Sequence, residues 1–134
     1  MTSIVTDTHA LVWYIFDLDR LSEAALTAFE QAVNNDNPIY VSAISIVEIT
    51  YLVERRRLSE EVITRVLNAL DDPNVGIILA PLDRNVSMML RQIDPVIVPD
   101  MPDRIIAATA LNLGIPLVTR DLRIQALTNI QTIW

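Results

Sequence analysis

The sequence predicts an α/β domain of three layers, α/β/α, built on a central parallel sheet. Short β-prone runs alternate with longer segments of helical periodicity along the chain, and strands joined through helices pair in parallel by right-handed crossovers. The run Val75–Leu79 is apolar without alternation, the pattern of a strand covered on both faces. With 134 residues, 51% of them hydrophobic, the chain is sized for one core, and residues 1–134 read as a single domain. No linker, repeat or low-complexity stretch divides it.

Ser3-Ile4-Val5-Thr6 is the first strand, followed by a polar turn, Asp7-Thr8-His9, and a buried helix over Ala10–Phe16. Ser22 caps a second helix in which Leu26, Phe29 and Val33 recur at helical spacing, and Asn34-Asn35-Asp36-Asn37-Pro38 ends it. Ile39-Tyr40-Val41 is the second strand. From Ser42 or Ser45 a helix passes through Ile46, Val47, Ile49, Leu52 and Val53 to Arg55-Arg56-Arg57, whose charge suits a helix C-terminus. Ser59-Glu60-Glu61 opens a helix over Val62–Leu70, which Asp71-Asp72-Pro73 stops. After the Val75–Leu79 strand a helix is expected over Pro81–Gln92, and Pro95, Pro99 and Pro102 hold an irregular connection. Asp103 begins a helix over Arg104–Leu113 that Gly114 terminates. Leu117-Val118-Thr119 is a strand, Asp121–Leu127 a short helix, and Ile130–Trp134 the last strand.

Composition removes several functional classes. The chain has 17 acidic residues against 10 basic ones, all Arg, for a net charge of −7, with one His and no Cys. Disulfide frameworks, thiolate zinc sites and cysteine nucleophiles are excluded. The negative charge opposes electrostatic binding to DNA or a membrane surface, so a nucleic-acid substrate would need positive charge from another source. The longest uncharged run, Ile105–Thr119, is broken by Gly114 and Pro116 and falls short of the ~18 apolar residues of a membrane span. The first basic residue is Arg20, so no secretory pattern opens the chain. A soluble, cytoplasmic protein with no membrane contact is expected.

In open parallel sheets ligands bind beyond the carboxyl ends of the strands. Asp7 follows the first strand, Asp121 follows the Leu117–Thr119 strand, and Asp103 starts a helix, so all three reach one rim. Capping alone explains any one of them. Glu48 is different, because Ile44, Ile46, Val47, Ile49, Tyr51, Leu52 and Val53 surround it along its helix. A carboxylate in such company is ion-paired, with Arg55 as one candidate, hydrogen-bonded or metal-bound. Carboxylates converging without Cys make a hard oxygen site suited to Mg²⁺ or Mn²⁺. One or two such ions would relieve their repulsion, bridge to a phosphate oxygen and lower the pKa of a bound water. The missing positive charge would come from the metal, with Arg residues on flanking phosphates.

At these residues the chain resembles the PIN-domain ribonucleases, and within them the VapC-type toxins of type II toxin-antitoxin pairs. The resemblance rests on Val5-Thr6-Asp7-Thr8-His9-Ala10-Leu11-Val12-Trp13, Val41-Ser42-Ala43-Ile44-Ser45-Ile46-Val47-Glu48-Ile49, Pro102-Asp103-Arg104-Ile105-Ile106-Ala107-Ala108-Thr109-Ala110 and Leu117-Val118-Thr119-Arg120-Asp121, in that order across nearly the whole chain. It implies a Mg²⁺- or Mn²⁺-dependent endoribonuclease with Asp7, Glu48, Asp103 and Asp121 as metal ligands and catalytic residues. Thr119, Arg104 and Arg120 are read as candidate substrate contacts, Arg104 alternatively pairing with a nearby acid and Arg120 standing where the family often has a small or amide residue; in the resemblance Thr119 is the hydroxyl preceding the last acid. It further implies a homodimer and a small antitoxin whose C-terminal arm covers the site. Asp100, near Asp103, competes with it for the third-acid role, but beside two prolines it is read as a solvated loop residue; His9 either touches substrate or, the preferred reading, is structural or exposed. Trp13 and Tyr14, among apolar neighbours, are read as core or interface. Arg55-Arg56-Arg57 either grips a polyanion or is a solvated helix end. The alternative function is a non-catalytic PIN-fold module whose acidic cleft captures a basic peptide. Phosphate transfer through Asp7 is disfavoured, since that chemistry wants a second Asp where His9 stands. Setting aside the proposed ligands, the 17 acids fall to 13 against 10 Arg, so much of the net charge belongs to one cleft.

Overall fold

A computed structural model describes residues 2–134. Five strands, β1 (Ile4–Thr6), β2 (Ile39–Ser42), β3 (Ile77–Ala80), β4 (Leu117–Val118) and β5 (Thr132–Ile133), pair in parallel in the order β3-β2-β1-β4-β5. Seven helices connect them: α1 (Thr8–Phe16), α2 (Glu23–Asn34), α3 (Ala43–Glu54), α4 (Glu60–Asp71), α5 (Arg84–Met89), α6 (Met101–Leu113) and α7 (Leu122–Gln125). The predicted α/β/α layering is therefore present. The chain winds outward from β1 through β2 to β3, then returns to β4 on the other side of β1, so the switch in strand order falls between β1 and β4.

Side-chain alternation along the strands feeds two cores, one on each face of the sheet. Ile4, Ile39, Val41 and Val118 join α1, α2 and α4, with Phe29 fully buried among them. Val5 and Leu117 face the opposite way and join α6, α7, Val86 and Ile93. Helix α6 is buried along Ile105–Ala110, because its run of small residues lets it lie close against the sheet. No helix among the described residues is long and apolar enough to cross a membrane.

Several boundaries differ from the sequence reading. The turn expected at Asp7-Thr8-His9 is absent: Asp7 caps α1 directly, and the helix begins at Thr8. The strand expected at Val75–Leu79 starts at Ile77 and lies at the sheet edge, with Ile78 45% and Leu79 44% exposed, so it is not covered on both faces. The helix expected over Pro81–Gln92 is shorter, because Asp83 accepts from the Val86 N–H at 3.0 Å and starts α5 at Arg84, and Leu90–Gln92 tightens into a 3₁₀ turn. Helix α6 begins at Met101, capped by Asp100, with Pro102 accommodated in the first turn, where its missing N–H has no partner to lose. Gly114 ends it with φ of 68°, as expected.

Candidate active site

Every parallel strand points its carboxyl end at the same rim, and the helices that follow β1, β2 and β4 start there. Asp7 stands at the switch point. Its Oδ1 accepts from the Ala10 N–H at 2.8 Å, and its Oδ2 accepts from the Thr119 hydroxyl at 2.6 Å. The carboxylate is thus held by α1 on one side and by the chain leaving β4 on the other. It is 8% exposed, and this burial raises its carboxyl above the ordinary carboxylate range although both hydrogen bonds favour the charged form.

Glu48 sits in the second turn of α3 and is half-buried. Its Oε1 accepts from the Thr8 hydroxyl at 2.5 Å, and the Thr8 oxygen lies 2.9 Å from the Ser45 hydroxyl. An ionised carboxylate only accepts and Thr8 has one hydrogen, so Thr8 donates to Glu48 and the buried Ser45 donates to Thr8. Burial raises the Glu48 carboxyl, with a further rise from Asp100 and Asp7. Among the described residues one ion pair is formed, Arg20 with Asp17 at 3.2 Å. Of the explanations left open for Glu48, the salt bridge to Arg55 is therefore not formed, whereas a hydrogen bond, from Thr8, is.

Asp103, in the first turn of α6, is pushed up to about 7, first by burial and then by the charges of Asp100, Asp121, Glu48 and Asp7. Their charges reach Asp103 because all of them line one space. Asp121 caps α7, its Oδ1 accepting from the N–H groups of Arg123 and Ile124 at 2.8 and 3.0 Å. Its own N–H donates to the Thr119 hydroxyl oxygen at 3.1 Å. Thr119 thus links the first and last acids of the set.

Asp7, Glu48, Asp103 and Asp121 line one cavity of about 530 Å³, together with Thr8, His9, Trp13, Asp100, Ile106 and Arg120. Three expectations need correction. Asp100 is exposed, yet it is not merely a solvated loop residue: its Oδ2 accepts from the Asp103 N–H at 3.1 Å and it borders the cleft. Arg104 does not border it. Its Nη2 donates to the carbonyls of Leu90 and Ile93, each at 3.0 Å, which anchors the 3₁₀ turn to α6. Thr119 is fully buried, does not line the cavity, and gives its hydroxyl hydrogen to Asp7. Arg120 is exposed and does line the cleft. Trp13 and His9 also line it, where the sequence reading placed Trp13 in core or interface. Their spacing of four residues, starting just past Asp7, puts both on one face of α1 and was the available signal.

The donor set is carboxylate oxygen, the chemistry that Mg²⁺ and Mn²⁺ take. Among the described residues no three His, Asp or Glu side chains are gathered into a finished ligand set. Asp7, Asp100 and Asp121 turn to their helix-cap N–H groups, and like charge opposes closer approach. The Asp7, Glu48 and Asp103 carboxyls are raised first by burial and further by neighbouring acids, and among the described residues no ion pair offsets them. A hard divalent cation fits both the donors and the deficit.

Residues 4–129 match the family model of the PIN domain. The chain is 29% identical over 126 residues to Ribonuclease VapC22 of Mycobacterium tuberculosis, a match covering 94% of this chain and 92% of that protein. Its fold resembles a chain of VapBC2 from Rickettsia felis bound to a promoter DNA fragment, with a TM-score of 0.72 and 16% identity over 96% of each chain. It also resembles a chain of a toxin-antitoxin complex from Klebsiella pneumoniae, with a TM-score of 0.61 and 21% identity over 96% of this chain and 99% of that one.

Proposed function

The chain belongs to the PIN domain family, and from that premise we propose that it is a Mg²⁺- or Mn²⁺-dependent endoribonuclease, the toxin of a type II toxin-antitoxin pair. The observation that carries this reading is the meeting of Asp7, Glu48, Asp103 and Asp121, from four separate segments, on one cleft at the switch point of the sheet. The similarity to Ribonuclease VapC22 supports the activity, and the likeness to a toxin-antitoxin complex supports a protein partner.

Asp7, Glu48 and Asp103 would hold the cation with Asp121 beside them, and when bound it would supply positive charge at the scissile phosphate and acidify the attacking water. The remaining work falls to the chain itself. Thr119 and the Ala10 N–H fix the Asp7 carboxylate in one orientation, and the Ser45–Thr8 pair fixes Glu48. Such preorganisation spares the site reorganisation as charge develops. Arg120, exposed on the cleft wall, is placed to meet a substrate phosphate.

The partner in this reading is an antitoxin whose basic arm enters the same cleft, and the chain acts as a homodimer in the cytoplasm. Digestion of total RNA with wild type, Asp7→Asn and Glu48→Gln, followed by sequencing of the new 5′ ends, tests the activity and maps the cleavage site. Wild type cleaves only with Mg²⁺ or Mn²⁺, and both variants lose at least a hundredfold, the order seen when a principal electrostatic group is removed. Undiminished cleavage by both variants refutes the mechanism. The open ligand set gives the peptide-capturing module one point in its favour. Calorimetric titration with Mn²⁺ separates the two: heat that disappears in Asp7→Asn supports the nuclease, and absence of binding supports the module.

A further inference from the structure

We propose that Trp13, with Arg120 beside it, forms a nucleotide subsite on the wall of the acidic cleft: an unstacked base next to the scissile phosphate lies on the indole, and Arg120 holds the adjoining phosphate. The inference rests on the ribonuclease reading and adds to it a place where substrate is gripped away from the metal.

Helix α1 starts at the principal acid and carries His9 and Trp13 one turn apart into the cleft lining. Their ring centroids are 5.8 Å apart, with planes tilted by 44°. From the far end of the chain Trp134 packs at 5.9 Å from the Trp13 ring, tilted by 58°. The indole is therefore held from two sides without a flat stack on either ring. It is half-buried, with its back on the core and part of its surface in the cavity. A held aromatic surface bordering a reactive centre is what a single-stranded base needs, since stacking contributes to binding and accepts every base.

Arg120 supplies the complementary charge. Among the described residues it is the one arginine lining the cleft, and it joins no ion pair. Its Cζ stands 5.9 Å from the Trp13 centroid, whereas Arg65 settles at 4.3 Å over Phe16. At the longer distance the guanidinium is at the outer edge of cation–π attraction and keeps its hydrogen-bond donors for another ligand. Arg20 is also 5.9 Å from the same ring, but Asp17 neutralises it. A basic peptide side chain placed on this indole would meet Arg120 with like charge. A nucleotide offers a π face to the indole and an anion to the guanidinium, so the observations favour RNA.

The test couples the protein to the substrate. A short oligoribonucleotide carrying the cleavage site mapped on total RNA is compared with versions from which one base at a time is removed, using wild type, Trp13→Leu and Trp13→Phe. Loss of the indole lowers kcat/KM about tenfold, mainly through KM, on the intact oligonucleotide. Phe, which still stacks, restores most of it. On the substrate lacking the base next to the scissile phosphate, wild type and Trp13→Leu become equal. An equal loss by Trp13→Leu on every substrate refutes the subsite, as does no loss on any. So does an unchanged RNA reaction accompanied by weaker binding of an Arg-rich peptide, which would make the wall a peptide site. A wild type that cleaves no RNA overturns the parent reading and the subsite together, an outcome distinct from active wild type without coupling.

Discussion

Replacing Asp103 by Asn in protein stripped of divalent cations should remove activity and yet stabilise the fold at alkaline pH. The rise of this carboxyl from 3.8 to about 7 corresponds to roughly 4 kcal/mol at 1.36 kcal/mol for each tenfold change in proton affinity. Asp103 stands partly in solvent, where screening leaves a fraction of that, ~1–2 kcal/mol. Its charge also gains about 0.3–1 kcal/mol from the N-terminus of α6, which Asn forfeits. The expected net gain is about 1 kcal/mol, or roughly 3–5 °C in Tm for a chain of this size. The sign follows from proton uptake. The folded carboxyl binds its proton more tightly than the unfolded one, so stability is fullest below about pH 4 and falls as pH rises to about 7. Asn has no such slope. Thermal melts in EDTA at about pH 4 and about pH 8 should show near-equal Tm values at the lower pH and the Asn advantage at the higher. An Asn variant no more stable than wild type at the higher pH, or equally advantaged at both, would refute the electrostatic account of the cleft.

Three other outcomes follow from single contacts. Thr119→Val removes the buried donor to Asp7 and should lower stability by about 1–3 kcal/mol with a fall in kcat; Thr119→Ser should restore both, and a Val variant equal to wild type would deny Thr119 its positioning role. Asp121→Ala removes the α7 cap and should lower stability by about 1 kcal/mol, whereas Asp121→Asn keeps the cap; both should weaken Mn²⁺ affinity in calorimetry, and an Asn variant that binds Mn²⁺ as wild type does would leave Asp121 a cap only. Arg104→Met should lower stability by about 2–3 kcal/mol through the freed Leu90 and Ile93 carbonyls, while the folded fraction keeps wild-type kcat/KM in RNA cleavage. A KM effect without loss of stability would return Arg104 to the substrate.

The alternation of strands and helices made the layers legible, because periodicity reports which face of each element is buried. It could not tell that β3 lies at the edge: Ile78 and Leu79 are as apolar as the central residues, and their exposure is set by strand order, a long-range property. Glu48 was legible because a carboxylate among Ile and Val has few explanations. Asp7, Asp103 and Asp121 were less so, since a helix cap and a metal ligand draw on the same residue type. Arg104 was misread for a related reason: its guanidinium answers to two carbonyls more than ten residues away in sequence, which no local pattern records. Trp13 looked like core because its neighbours are apolar, and half of its environment is.

The overlap of capping and chemistry also bears on how this site would decay. A relative released from catalysis would still need a hydrogen-bond acceptor where Asp7 and Asp121 start their helices, so drift there would favour Asn or Ser. Glu48 closes no helix end; its recorded partner is a threonine hydroxyl that water could satisfy. In lineages that have abandoned the reaction, the two acids that cap nothing, Asp103 and Glu48, should therefore be lost first, Asp103 to Asn in the first turn of α6, and position 48 to an ordinary apolar residue of α3. That makes position 48 the one at which an active member and a retired one are most readily told apart.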